Sequence, residues 1–121
     1  MGTRCAIHFC SPYSNSTLDN RIEATVYQHY DGYPQNVVSK LHRFFEAVLS
    51  KQPRDTRFDD PSYLAARFLA WAIREEDENP LDSMTGYGIL SGSLPGDLSY
   101  RYFVDCKVAS GEKPVVIARE V

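Results

Sequence analysis

Long apolar runs and basic clusters are both missing from this chain. No stretch approaches the roughly 18 apolar residues a membrane helix requires, so no membrane partner is expected. Lysine and arginine together number 13 against 16 acidic residues, for a formal net charge of −3. That balance supplies no long-range attraction to nucleic acid or anionic lipid, and nucleic acid is not expected as a partner. Cysteine is scarce and odd in number: Cys5, Cys10 and Cys106, with no C-x-x-C pair. A fully paired disulfide framework is therefore set aside, and reduced thiols in a cytoplasm are the simplest reading. The first residues show no basic segment leading into an apolar run, so no secretory leader is expected. Asn15-Ser16-Thr17 fits the glycosylation pattern but is then expected to stay unmodified. No P-loop, metal or hydrolase signature occurs, and no cofactor or metal is expected. Gly86-x-Gly88 with Gly92 has the wrong spacing for a dinucleotide fingerprint and reads better as strand glycines at a bulge or close approach.

What is present suits one domain of ordinary size. The 121 residues are 43% hydrophobic and 12% aromatic, enough for a real core. Residues 3–10 read as a short strand, 11–20 as a polar loop and 21–30 as a half-buried strand. In the second strand Ile22, Ala24 and Val26 face one way, and Glu23, Thr25, Tyr27 and His29 the other. Residues 34–50 follow a helical period, with Val37, Val38, Leu41, Phe44, Phe45, Val48 and Leu49 on one face. A second helix is predicted from Asp60, a good N-cap, and Pro61, suited to the first helical position. Its acidic C-terminal run ends at Asn79-Pro80. Residues 86–91, 98–107 and 114–119 read as strands. The order β-β-α-α-β-β-β predicts an α+β fold: one antiparallel sheet, two helices on one face, the other face partly open.

The sharpest feature is His29-Tyr30-Asp31-Gly32-Tyr33-Pro34, where a strand hands over to a helix. Gly32 can take a positive φ, Tyr33 is pushed toward extended backbone by the proline, Pro34 starts the helix, and Asp31 can close an Asx-turn. Turn chemistry thus explains most of the segment and leaves His29 and the phenols over. His29 and Asp31, beside Tyr27 and Tyr33 and next to a helix N-terminus, could hold an anion or contact a protein.

Three further stretches join this motif: Thr3-Arg4-Cys5-Ala6-Ile7-His8, the run from Asp55 to Ala66, and the late Tyr100-Arg101-Tyr102-Phe103-Val104-Asp105-Cys106. Together they resemble a group of small bacterial and phage-encoded proteins whose hallmark is a strand ending in His-x-Asp-Gly-Tyr, often followed by Pro. The resemblance implies a bacterial or prophage setting and no particular reaction; in a phage it would be compatible with neutralising a host factor. The loop 11–20 is longer than in that group.

Other constellations are weaker. His8 and Cys10 share a strand face. If the hairpin closes evenly, however, His8 lies opposite residue 23 or 24, about 17–20 Å from His29, and no three ligands converge. Arg57, Tyr63 and Arg67, with Arg101, could form a small anion-reading patch, although solvated surface paired with Asp55, Asp59 and Asp60 is the favoured reading. Aromatic residues on both faces of 98–107 suggest self-association through the uncovered sheet face or an edge strand, hence a homodimer. The leading expectation is a non-catalytic cytoplasmic module binding an anionic small molecule or a protein. The alternative is a small enzyme with His29 and Asp31 as an acid–base pair or Cys10 as nucleophile.

Overall fold

A computed structural model describes residues 3–76, 81, 85–109 and 111–121. Five strands and two helices follow in the predicted order: β1 (Cys5–Cys10), β2 (Ile22–Gln28), α1 (Pro34–Lys51), α2 (Pro61–Glu76), β3 (Tyr87–Leu90), β4 (Tyr100–Asp105) and β5 (Val115–Glu120). A single 3₁₀ turn, Leu18–Asn20, interrupts the loop between β1 and β2. Pro34 takes the first turn of α1, after Tyr33 in extended backbone with φ −80° and ψ 157°. Asp60 caps α2, its Oδ1 accepting the Tyr63 N–H at 3.2 Å. The Asn79-Pro80 stop lies outside the described residues.

The sheet is mixed, not antiparallel as the element order had suggested. Its spatial order is β3-β2-β1-β4-β5, and β1 runs parallel to β4. The reason lies in residues 91–99. They do not turn β3 back on itself; they cross β2 and β1 and lay β4 along the free edge of β1. Strands joined by such a crossover point the same way.

Both helices pack on one sheet face. Cys5, Ile7 and Phe9 of β1, Val26 of β2, and Tyr102 and Val104 of β4 form one core with Val37, Leu41, Phe44 and Phe45 of α1 and Leu64 and Phe68 of α2. The opposite face was expected to stay partly open and to expose aromatic rings; its middle is closed and Phe103 is buried, while Val115 and Ile117, in register with Asp105 and Phe103, stay exposed toward the β5 edge. Ala6, His8, Cys10 and Phe103 are all at 1% exposure or less. The loop before β2 covers one end, where the Cys10 thiol meets the Leu18 carbonyl, and the 91–99 crossover flanks the rest. Two guanidiniums cap the Phe103 ring, Arg119 at 4.5 Å and Arg101 at 5.1 Å. Exposed apolar side chains are found on the edge strands instead: Ile89 on β3, and Val115 and Ile117 on β5.

Arg21 fastens the covering loop down. Its Nη1 and Nη2 donate to the two carboxylate oxygens of Asp105 at 2.9 and 3.2 Å, while Nη1 and Nε also reach the Ser11 and Ser16 carbonyls. Burial alone would raise the Asp105 carboxyl, but the hydrogen bonds from Arg21 and the Lys107 N–H outweigh it and hold the group below its usual range.

Candidate functional site

The strand-to-helix corner is built by β1, β2 and the start of α1. Strand β1 pairs with β2 so that Cys5 faces Gln28 and His8 faces Thr25, with a bulge between Phe9 and Cys10. The bulge and the uneven loop closure move the register one step from the even-hairpin expectation. They also bring Arg4 beside His29. Tyr27 Oη lies 2.7 Å from His29 Nδ1, and Arg4 Nε donates to the same nitrogen at 3.3 Å. The Tyr30 ring stands edge-on to the imidazole, with centroids 4.6 Å apart. The His29 N–H donates to the Gly86 carbonyl at 2.7 Å. His29 is thus half-buried and oriented from three sides.

An arginine N–H can only donate, so Nδ1 must present a lone pair to Arg4. In the neutral ring the proton then resides on Nε2. Among the described residues, Nε2 has no hydrogen-bond partner. With Nδ1 accepting from Arg4, the corner offers the Nε2–H and a guanidinium together as donors. Arg4 also pairs with Asp97 at 3.3 Å, with the two side chains 32% and 58% exposed; an exposed pair of this kind is easily exchanged.

The turn itself works differently from the reading of its residue types. Gly32 is not the residue with positive φ; Asp31 is, at 56°. Gly32 is required by close approach. A Cβ there would meet the Thr3 carbonyl oxygen at 2.6 Å and Cys5 Cβ at 2.9 Å. Its N–H donates to that same carbonyl, and its own carbonyl accepts Tyr102 Oη at 2.6 Å. Among the described residues no Asx-turn forms on the Asp31 carboxylate; instead the Asn36 and Gln28 side-chain amides donate to the Asp31 carbonyl. The first turn of α1 is also less free than expected. The Asn36 and Val37 N–H groups both go to the Tyr33 carbonyl at 3.1 Å, and Pro34 has none. Tyr33 and Asp31 remain exposed at the rim of the corner.

Arg57, Tyr63 and Arg67 do come together. The phenol is bracketed by two guanidiniums, Arg57 at 5.0 Å and Arg67 at 5.4 Å. Arg101 does not join them. It lies on the sheet face turned away from the helices, where Nε donates to His8 Nε2 at 3.0 Å and Nη2 to Asp19 at 3.2 Å. Arg57, one of the two bracketing guanidiniums, lines a recess with Glu23, at the start of β2, whereas His29 follows the end of that strand. Six residues of strand separate them by about 20 Å. The candidate residues thus form two groups at opposite ends of β2, with Arg101 in a third place.

Sequence reasoning missed Arg4 and the centre of the covered face. His8 is 1% exposed. Its Nδ1 bonds Thr25 Oγ1 at 2.8 Å. Burial first, then the Arg101 charge, pushes its pKa down to about 4. Asp19 pairs with both Arg101 and Arg119; hydrogen bonding from Arg119 leads in holding its carboxyl low. Thiol chemistry gains nothing from this environment: burial pushes Cys10 up to about 11 and Cys5 and Cys106 up to about 12, keeping them protonated. No hydrogen bond links His29 to the Asp31 carboxylate among the described residues. No group of three metal-ligating side chains is found among them either, and no helix there is long and apolar enough to cross a membrane.

Comparison of the chain with protein-family models, with curated proteins and with solved structures yields no match in any of the three.

Proposed function

We propose that this protein is a binding module that takes an anionic small ligand, or an anionic group of a protein partner, at the corner formed by Arg4, Tyr27 and His29. One observation carries the reading. Tyr27 and Arg4 both meet His29 at Nδ1, which leaves Nε2 of this half-buried ring without a partner among the described residues, close to the Arg4 guanidinium. A phosphate or carboxylate oxygen matches that pair of donors. Tyr33, Asp31 and the exposed edge of Tyr30 form the rim and would set which anions fit. An enzyme reading has less behind it, because the imidazole has no carboxylate partner among the described residues and the thiols are buried and protonated.

A cytoplasmic, bacterial or prophage setting goes with this proposal, as do the three buried free thiols. Self-association belongs to it too, through the edge of β5, where Val115 and Ile117 stand exposed. Light scattering at high concentration tests that part; a clean monomer counts against it.

The site is tested by thermal-shift and calorimetric titration with inorganic phosphate, nucleotides and sugar phosphates. At least one anion is expected to bind the native protein and to lose most of its affinity in His29→Ala and Arg4→Ala. Absence of any anion effect, together with unchanged partner capture by His29→Ala, would leave the corner a purely structural connector.

A further inference from the structure

Lys40 interrupts the apolar stripe of α1 between Val37, Leu41 and Phe44. Its side chain is 10% exposed. Nζ donates to Gln28 Oε1 at 3.2 Å and to Tyr87 Oη at 2.5 Å. Tyr87 Oη in turn donates to Glu76 Oε1 at 3.1 Å. An amine from α1, a phenol from β3 and a carboxylate from α2 therefore form one chain. It runs from a buried position to the half-exposed Glu76, whose side chain is 52% exposed. Beside it lies a recess of about 260 Å³, lined by Lys40 with Gln28, Asn36, Arg43, Trp71 and Glu76.

A methionine would fill the same space without desolvating a charge. Burial lowers the Lys40 pKa, and Arg43 on the same helix adds to that; Glu76 on α2, Cys5 on β1 and Asp31 before α1 oppose it without restoring the usual value. A lysine held this way keeps more free amine at neutral pH than an exposed one. The neighbouring phenol and carboxylate are suited to passing protons.

We infer that Lys40 is a carbonyl-reactive amine, and that the recess admits a small aldehyde or 2-oxo acid which Lys40 holds as an imine. The free Lys40 amine attacks the carbonyl carbon, forming the C–N bond as the carbonyl π pair moves to oxygen. That oxygen takes a proton delivered through Tyr87 and Glu76, while the nitrogen sheds one, giving the carbinolamine. Protonation and departure of the hydroxyl as water then yield the imine. The net reaction is amine plus carbonyl to imine plus water, with no change of oxidation state. Arg43, 59% exposed and paired with Glu75 at 3.3 Å, stands at the recess wall where a carboxylate on the ligand would meet it.

The test is reductive trapping with glyoxylate and cyanoborohydride at neutral pH, read by peptide mass mapping. Lys40 is expected to gain the carboxymethyl group severalfold faster than the exposed Lys51, Lys107 and Lys113, because burial lowers its pKa and leaves more free amine. Tyr87→Phe, checked for folding by thermal melting, is expected to slow labelling at Lys40 severalfold while leaving the surface lysines unchanged. Labelling of Lys40 no faster than the surface lysines overturns the inference, as does an unaltered Lys40 rate in folded Tyr87→Phe.

Discussion

Arg101 Nε lies 3.0 Å from His8 Nε2 in the middle of the sheet face turned away from the helices. The guanidinium can only donate, so this nitrogen of His8 is unprotonated and the ring proton sits on Nδ1, facing Thr25 Oγ1. His8 is buried as a neutral imidazole with both nitrogens engaged.

Acid stability should report that state. The folded pKa of His8 is about 4 against an ordinary 6.5. A depressed folded pKa means the unfolded chain takes up the proton first as pH falls. The contribution of His8 is therefore fully present above pH 6.5 and drains away as pH falls through 4. The shift corresponds to on the order of 3 kcal/mol. Urea unfolding of the native chain and His8→Gln at a series of pH values is expected to show the largest stability gap near pH 7 and a shrinking gap toward pH 4. A constant gap would contradict a neutral buried imidazole.

Gly32→Ala is expected to destabilise the protein by about 1–3 kcal/mol, seen as a lower thermal midpoint. The cause is the backbone of Thr3 and the Cβ of Cys5, not a positive φ. Asp31→Gly is the contrasting substitution. Asp31 sits at φ 56° with no hydrogen bond to its carboxylate among the described residues, so glycine there is expected to be neutral or to stabilise by up to about 1 kcal/mol.

Removing the Arg21 side chain should free the loop that covers Cys10. Arg21 is 8% exposed and doubly bonded to Asp105. Arg21→Ala is expected to cost about 2–4 kcal/mol, because it leaves the Asp105 charge unpaired at a partly buried position. Limited proteolysis is expected to cut within residues 11–20 well before the native chain is cut. Equal proteolytic rates would show that the loop is held by something else.

Much of the fold could be read from local pattern. The alternation through Ile22, Ala24 and Val26, the helical spacing from Val37 to Val48, and the starts at Pro34 and Asp60-Pro61 each report backbone geometry near their own residues. Sheet topology is not local. A period of two marks a strand but not its neighbour, so the parallel pairing of β1 with β4 left no trace in the sequence pattern. The same limit hid Arg4: its place beside His29 depends on a bulge between Phe9 and Cys10. Phe103 looked like exposed aromatic surface because nothing local reveals that Arg119, from another strand, covers it. Lys40 was open to detection, since a lysine at a core position of an amphipathic helix breaks the period that surrounds it.

The anion corner stands or falls on which nitrogen of His29 carries the proton and whether that proton is offered outward. A long-range 1H–15N spectrum of the imidazoles, recorded at neutral pH with and without inorganic phosphate, measures both. The expected result is an Nε2–H tautomer for His29 whose resonances move on phosphate addition, while those of His8 stay still. An Nδ1–H tautomer at His29, with resonances indifferent to phosphate, would contradict the proposed contact between this ring and an anion.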